Sequence, residues 1–354
     1  NEKKTQKKPP QPFTTSLIQQ AASNELRISP KETMFACQKL YEAGYITYMR
    51  TDSKNYSSQF MESAKKYIVN KWGIKYYNND IKNIPQKGNV KAQEAHEAIR
   101  PTDIEVLSAN TEMSSKEKRI YKLIWNNTVE SCMTNAEYLT FVAKISAAEN
   151  HKFRYTCEKN VFMGWKIVDN MHDGDEFYDY IKMLKSELTY NKVISNVTIK
   201  NLKQHYTEAK LVDLLEKQGI GRPSTFSSLI DKIQERGYVK KQNVKGKKIK
   251  CTNYELDDNE ILETETEKEF GNENNKLVLQ PTGKMVIEFL LKHFDRFVDY
   301  EFTKDMEDRL DIIATGGEKW NSICNDCSND INDLIKKVNP KKTSNDKGIR
   351  IDDN

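Results

Sequence analysis

Two hydrophobic periodicities alternate along the chain. Behind a start signal, Ser29-Pro30-Lys31-Glu32, the residues Met34, Cys37, Gln38, Leu40 and Tyr41 follow at helical spacing. That signal offers an N-cap, a first-position proline and an acidic first turn. Gly44 supplies a stop, so a helical block read over 16–44 ends there. YITYM (45–49) is β-branched and aromatic and predicts a short strand. Helices are predicted again over about 57–71 and 115–133, the second carrying the stripe Ile120, Leu123, Ile124 and Val129. From 138 to 203 the period changes to two: YLTFVAKISA, KFRYTCE and NKVISNVTIKNLKQ alternate apolar and polar residues, which suits antiparallel strands. Helical spacing returns at 208–218, 224–236, 283–294 and 318–338, with GYVKKQ and KKIKCTNYEL read as a hairpin. In the last helix Trp320, Ile323, Cys324, Cys327, Ile331, Leu334 and Ile335 share one face, which predicts that both cysteines are core residues.

The expected class is α+β, with mostly helical domains flanking a β-rich segment. The partition reads as a linker over 1–11, a helical domain over 12–136, a β-rich segment over 137–204, a helical domain over 205–338 and a disordered tail over 339–354. The start, NEKKTQKKPPQP, is basic and proline-rich, the composition of a linker and without the apolar centre of a signal peptide.

Composition narrows the function classes. No run approaches the roughly 18 apolar residues that span a bilayer. The absence of a repeat at solenoid period argues against a stacked array. Six scattered cysteines in a long chain without a signal segment suit reduced thiols in an intracellular compartment. Only Cys324 and Cys327 form a CxxC pair, too few ligands for a zinc ribbon. The formal charge of +4 conceals local patches: six lysines lie within 240–250, whereas 255–275 is strongly acidic and reads as a solvated loop.

Three short segments carry candidate chemistry. If 45–49 is a strand, Ile46, Tyr48 and Arg50 point the same way. A tyrosine phenol, with a reference pKa of about 10, is a poor nucleophile unless its proton is removed. A guanidinium two residues along can stabilise a phenolate or the charge developing on a phosphate. Attack on a phosphodiester then gives a phosphotyrosyl ester that keeps the bond energy, so the strand can be resealed. On spacing alone, a tyrosine packed in a strand is the default reading. In AHEAIRPT (95–102), a helical turn would set His96 and Arg100 on one face, able to hold a phosphate. An ordinary surface pair is the default there, and HExxR is not the zinc-protease pattern. GIGRPST (219–225) is a turn entering a helix, with Gly219 and Gly221 free to adopt unusual angles and Ser224 or Thr225 as N-cap. It is either a phosphate-binding corner built from helix-start amides and Arg222, or a loop that only caps the helix.

Taken together, five segments closely resemble type IA DNA topoisomerases of the bacterial topoisomerase I kind. They are PFTTSLIQQAAS (12–23), LYEAGYITYMRTDS (40–53), QEAHEAIRPTD (93–103), LVDLLEKQGIGRPSTF (211–226) and IQERGYV (233–239), in family order across about 12–338. Methionine between Tyr48 and Arg50, and Glu97 after the histidine, point to the topoisomerase I branch. The resemblance implies a toroidal core with Tyr48 forming a 5′-phosphotyrosyl link, Arg50 stabilising the scissile phosphate and Asp52 organising the hydrogen bonds around them. It implies DNA contacts from His96, Arg100, Gly221, Arg222, Ser224 and Thr225. It further implies ATP-independent relaxation of negatively supercoiled duplex DNA, with single-stranded DNA held in the cleft, by an intracellular, monomeric enzyme acting at DNA.

Three departures qualify that expectation. The family's Mg2+-binding Toprim domain, with its DxDxE motif, has no counterpart here; Asp173-Gly174-Asp175-Glu176 reads as a loop. Mg2+ is therefore expected on a Toprim domain outside this sequence, with no metal ligand in this chain and little relaxation by it alone. His205 stands where the family commonly has arginine, and the acidic 255–275 run reads as an insertion. A different class remains open, a non-catalytic scaffold for single-stranded DNA. A tyrosine recombinase fits badly, because Ile99 stands where its Arg–His–x–x–Arg pattern needs arginine, and Tyr48 precedes the histidine.

Overall fold

The computed structural model describes residues 2–80, 97–170, 174–184, 188–257 and 260–338. Its architecture is α+β, with helices packed around their own core and sheets that are antiparallel. The expected tail over 339–354 lies outside the described residues.

The first helical region is built as its signals predict. Helix α1 (Thr15–Ala21) begins at Thr14, whose side chain accepts from the Leu17 amide. It runs into one wide turn, Ala22–Leu26, and breaks at Arg27, which adopts a left-handed φ of 60°. Helix α2 (Pro30–Glu42) starts with a full capping box: Ser29 Oγ accepts from the Glu32 amide, and Glu32 accepts from the Ser29 amide. Gly44, at φ 77°, turns the chain out of it. Helices α3 (Ser58–Trp72) and α4 (Ser115–Ser131) follow, the latter with a second capping box, Ser114 with Glu117. Ile18, Leu40, Ile68, Ile120, Ile124 and Trp125 form the centre of this core. Within it the Trp125 indole donates to the Ile104 carbonyl at 2.9 Å.

The first correction concerns the start of the chain. Residues expected to be a linker form strand β1 (Glu2–Lys7), paired antiparallel with β2 (Ala136–Ser146), which in turn pairs with β3 (Lys152–Phe162). A polar composition does not forbid an edge strand, because the backbone supplies the ladder and Lys7 reaches Glu158 at 2.8 Å. Helix α5 (Tyr178–Met183) and the short strand β4 (Lys192–Ser195) complete the β-rich segment.

Helices α6 (Glu208–Gln218) and α7 (Phe226–Glu235) lead into β5 (Val239–Val244), β6 (Lys247–Asp257), β7 (Glu260–Phe270) and β8 (Glu273–Leu279). Here lies the second correction: the acidic run is a strand rather than a loop. β7 pairs along β6, setting Lys248 opposite Glu269 and Lys250 opposite Glu267, with Lys248 Nζ 3.2 Å from Glu267. Two lysines of the basic run, Lys248 and Lys250, thus face glutamates of the acidic run across the strands. β6 also pairs with β4, so the hairpin groups with the earlier sheet-rich segment.

Helices α8 (Pro281–His293), α9 (Tyr300–Ala314) and α10 (Trp320–Val338) end the described chain. In α10 only Ile323 of the predicted stripe is buried; Cys324 is exposed and Cys327 half-buried, against the expectation of two core cysteines. An apolar stripe predicts a face, and here little of that face finds a neighbour. By contact the chain divides into two compact units, residues 1–213 with 242–276, and 214–241 with 277–354. The β6–β7 hairpin groups with β4 in the first of these units. Among the described residues no helix is long and apolar enough to cross a membrane.

Candidate active site and phosphate-binding turn

The segment around Tyr48 is not the strand that its composition predicts. Among the described residues its one bridge pairs Ile46 with Pro101, and Ile46 is 1% exposed, so it does not share a face with Tyr48. From Tyr48 onward, however, an extended alternation holds: Tyr48, Arg50 and Asp52 are exposed, whereas Met49, Thr51 and Ser53 are buried. The three residues of interest therefore do face one way, without a sheet to align them.

Hydrogen bonds from two sides replace the missing ladder. Thr15, fully buried at the start of α1, donates through Oγ1 to the Met49 carbonyl at 2.7 Å and accepts from the Thr51 amide at 2.8 Å. The Thr15 amide donates to the Thr51 carbonyl at 2.9 Å. On the other side, the Thr47 amide donates to the Arg100 carbonyl at 3.0 Å, and the Thr47 hydroxyl donates to the Ala98 carbonyl at 2.9 Å. Ala98 and Ile99 donate in turn to Asn55 and Phe13, each at 2.8 Å. Residues 47–55 are thus pinned to α1 and to residues 98–100, which is the support a positioned nucleophile requires. The Tyr48 ring meets Tyr41 of α2 edge-on, 5.3 Å between centroids.

The turn expected to pair His96 with Arg100 takes a different form. His96 lies outside the described residues; from Glu97 to Pro101 the chain is extended, bridging to Phe13 and Ile46. Arg100 donates to Glu97 and to the Pro101 carbonyl, and its guanidinium stacks 4.2 Å from the centre of the Phe60 ring. Burial pushes the Glu97 carboxyl up, but Arg100 and Ser57 outweigh it and hold the group below its ordinary range. Arg100 is thus engaged by protein groups under the 97–101 segment. A stretch that reads as helix in isolation is drawn out because Thr47 and Phe13 offer it backbone partners.

The glycine-rich turn belongs to the second unit. Gly219 and Gly221 both have positive φ, 71° and 80°, as the sequence predicts. Thr225 is the N-cap of α7, yet its hydroxyl accepts from the Arg222 amide at 2.8 Å instead of capping the helix; Ser224 is exposed. Arg222 is the surprise. Its guanidinium donates to the Gly221 carbonyl at 3.0 Å and to Asp311 at 2.8 Å, with Asp308 at 3.4 Å and Glu307 at 3.9 Å. Three carboxylates of α9 stand where phosphate oxygens are expected, and α9 itself was not predicted. His205, read as a weakened phosphate contact, donates through Nδ1 at 2.8 Å to Glu273, whose side chain is buried.

Sequence reasoning also missed Thr15 and Thr47. The available signal was a pair of threonines beside Phe13 and another between Ile46 and Tyr48, hydroxyls in otherwise apolar company.

Comparison with known proteins agrees with this fold and these motifs. A family profile described as DNA topoisomerase matches residues 1–255. The DNA topoisomerase 1 of prokaryotic type from Acanthamoeba polyphaga mimivirus is 35% identical over 365 residues, covering 96% of this chain and 42% of that protein. DNA topoisomerase 1 of Vibrio cholerae is 37% identical, covering 91% of this chain and 33% of that protein. For the Escherichia coli protein of the same name the figures are 34%, 99% and 36%. The chain thus spans well under half the length of these curated relatives. Among solved structures, full-length topoisomerase I from Thermotoga maritima shares the fold with a TM-score of 0.70 at 24% identity, over 96% of this chain and 52% of that one. With the family profile across most of the chain, these relatives and the tyrosine segment as described, the chain belongs to the type IA DNA topoisomerase family.

Proposed function

We propose that this chain carries the strand-cleaving tyrosine of a DNA topoisomerase that relaxes negatively supercoiled DNA without ATP. The Tyr48 phenol oxygen bonds to a backbone phosphorus of single-stranded DNA, and the bond from that phosphorus to the 3′-oxygen breaks. The product is a 5′-phosphotyrosyl ester and a free 3′-hydroxyl; a second strand passes, and the reverse attack reseals the first. The phenolic proton leaves to a base, and the 3′-oxygen gains a proton from an acid; both are assigned to the Toprim portion expected outside this sequence. Arg50 balances charge on the phosphate, and Asp52 orients the groups beside it.

One observation carries this reading: Tyr48, Arg50 and Asp52 line one exposed edge of a segment whose backbone is tied down on two sides. Exposure admits a bulky nucleic acid, and the pinned backbone removes entropy before the reaction. Mg2+ belongs to the same proposal, to neutralise phosphate charge from the Toprim portion. Among the described residues no group of three His, Cys, Asp or Glu side chains is set to hold a metal, so no step here is routed through one.

The test is covalent trapping on single-stranded DNA with Mg2+, using this chain joined to a Toprim-bearing half. A 5′-linked adduct that vanishes in Tyr48→Phe supports the reading. A folded, DNA-binding assembly that forms no adduct refutes it and leaves a binding scaffold.

A further inference from the structure

Away from Tyr48, beneath α1 and α4, lies a cleft of about 600 Å³ lined by apolar side chains, neutral amides and carboxylates. Phe13, Leu17, Leu123 and Trp165 give it apolar walls, and Glu25, Glu130 and Asp169 give it three carboxylates. Glu130 is 9% exposed, and no hydrogen bond to its carboxyl exists among the described residues. Asn127, on the same helix and 7% exposed, has an Oδ1 with no partner, and so does its neighbour Asn126, whose amide nitrogen donates to Asp169 at 2.6 Å. Buried acceptors without donors are costly and uncommon. Two of them in one cleft, beside a carboxyl without a hydrogen bond, describe a site that lacks a donor.

The charges agree. Burial, followed by repulsion from Asp169 and Glu25, pushes the Glu130 carboxyl up to about 8, and Lys122 offsets this only in part. Lys122 is exposed and sits over the Trp125 ring at 4.4 Å, with the charge of Lys71 acting against it. Lys166 lies 5.6 Å from the Trp165 ring. Like charges around an apolar slot favour a ligand that brings positive charge and a hydrocarbon body. A bare metal ion is disfavoured, because these carboxylates are not grouped closely enough to ligate one.

We propose that this cleft binds a small linear diamine, with one ammonium on Glu130 and Asn127 at the floor and the other on Glu25 and Asp169 at the mouth. The methylene chain lies against Phe13, Leu17 and Trp165. The aromatic wall favours the ammonium ends as well as the chain between them. Binding makes Glu130 give up its proton, since an adjacent cation stabilises the carboxylate.

Isothermal titration of this chain with putrescine near pH 7, in two buffers of different ionisation enthalpy, is the test. The expected result is saturable binding with net proton release, both weakened at least fivefold in Asp169→Asn, and proton release abolished in Glu130→Gln. Asp169 is on the exposed rim, so its variant carries the test should Glu130→Gln fail to fold. n-Butylamine, with one ammonium, is expected to bind at least fivefold more weakly than putrescine. The proposal is overturned by absence of saturable binding, by equal affinity in wild type and Asp169→Asn, by equal affinity for n-butylamine, or by Mg2+ alone producing the same heat and proton release.

Discussion

Replacing Thr15 by valine removes one hydroxyl and keeps the shape of the side chain. Two main-chain groups then lose their partner inside the core: the Thr51 amide, at 2.8 Å from Oγ1, and the Met49 carbonyl, at 2.7 Å. The Thr51 carbonyl stays satisfied by the Thr15 amide at 2.9 Å. A buried polar group left unpaired costs about 1–3 kcal/mol, so the two together cost about 2–4 kcal/mol after partial relaxation. A domain of ordinary stability, about 5–15 kcal/mol, survives that loss, but the segment between Tyr48 and Asp52 is left held to Thr15 only by the Thr15 amide. Amide hydrogen exchange reads the effect directly. Protection of the Thr51 amide should fall at least tenfold, since each factor of ten is about 1.4 kcal/mol. In the Toprim-containing assembly, adduct formation by Tyr48 should fall more than single-stranded DNA binding does. Thr15→Ser, which restores the hydroxyl, should recover both. Unchanged Thr51 protection in Thr15→Val, or a serine variant no better than valine, refutes the clamp.

Three further outcomes follow from the same geometry. Asp311→Asn removes the nearest carboxylate from Arg222, so affinity for single-stranded DNA, measured by fluorescence anisotropy at low salt, should rise several-fold. The salt dependence should steepen by about 0.7 in slope if one more phosphate is neutralised, and unchanged binding removes α9 as a competitor. In the capping box of α4, the Ser114 amide leads the groups that hold the Glu117 carboxyl below its ordinary range, against burial and with help from the Ser114 hydroxyl and Lys39. A lowered folded pKa gives stability that is present above the unfolded value and lost as pH falls through the folded one. Glu117→Gln should therefore flatten the acid side of a urea-midpoint profile below about pH 5 and cost about 1 kcal/mol at pH 7. Gly221→Ala forces a Cβ onto a residue at φ 80°, 3.1 Å from both Leu229 Cδ1 and Thr225 Oγ1. The cost should be about 1–2 kcal/mol in the second unit, visible as a lowered urea midpoint.

Local signals in the sequence determined most of the helices. Ser29 with Glu32, Pro30 and Gly44 mark α2, because caps and stops act within one turn and depend on no distant residue. Alternation from 138 onward likewise announced β2 and β3. The motif words around Tyr48 and Arg222 pointed to the family, and the positive φ of both turn glycines was legible as well. What depended on partners far along the chain was not legible. Glu2–Lys7 looks like a linker until β2 offers it a ladder across more than 130 residues, and the acidic run looks solvated until β6 lies opposite with its lysines. The 45–49 strand failed for the converse reason. Its composition suits a sheet, yet its backbone bonds go to Thr15 and to residues 98–100, which leave it extended but unladdered. The sequence by itself determined that Tyr48 and Arg50 share a side and which family the chain resembles. Only the tertiary structure decided what holds that edge still, which protein groups engage Arg100, and why Arg222 meets carboxylates of α9 instead of open solvent. Short-range preferences are written in neighbouring residues, whereas hydrogen-bond and charge partners are chosen by the packing of segments far apart in sequence.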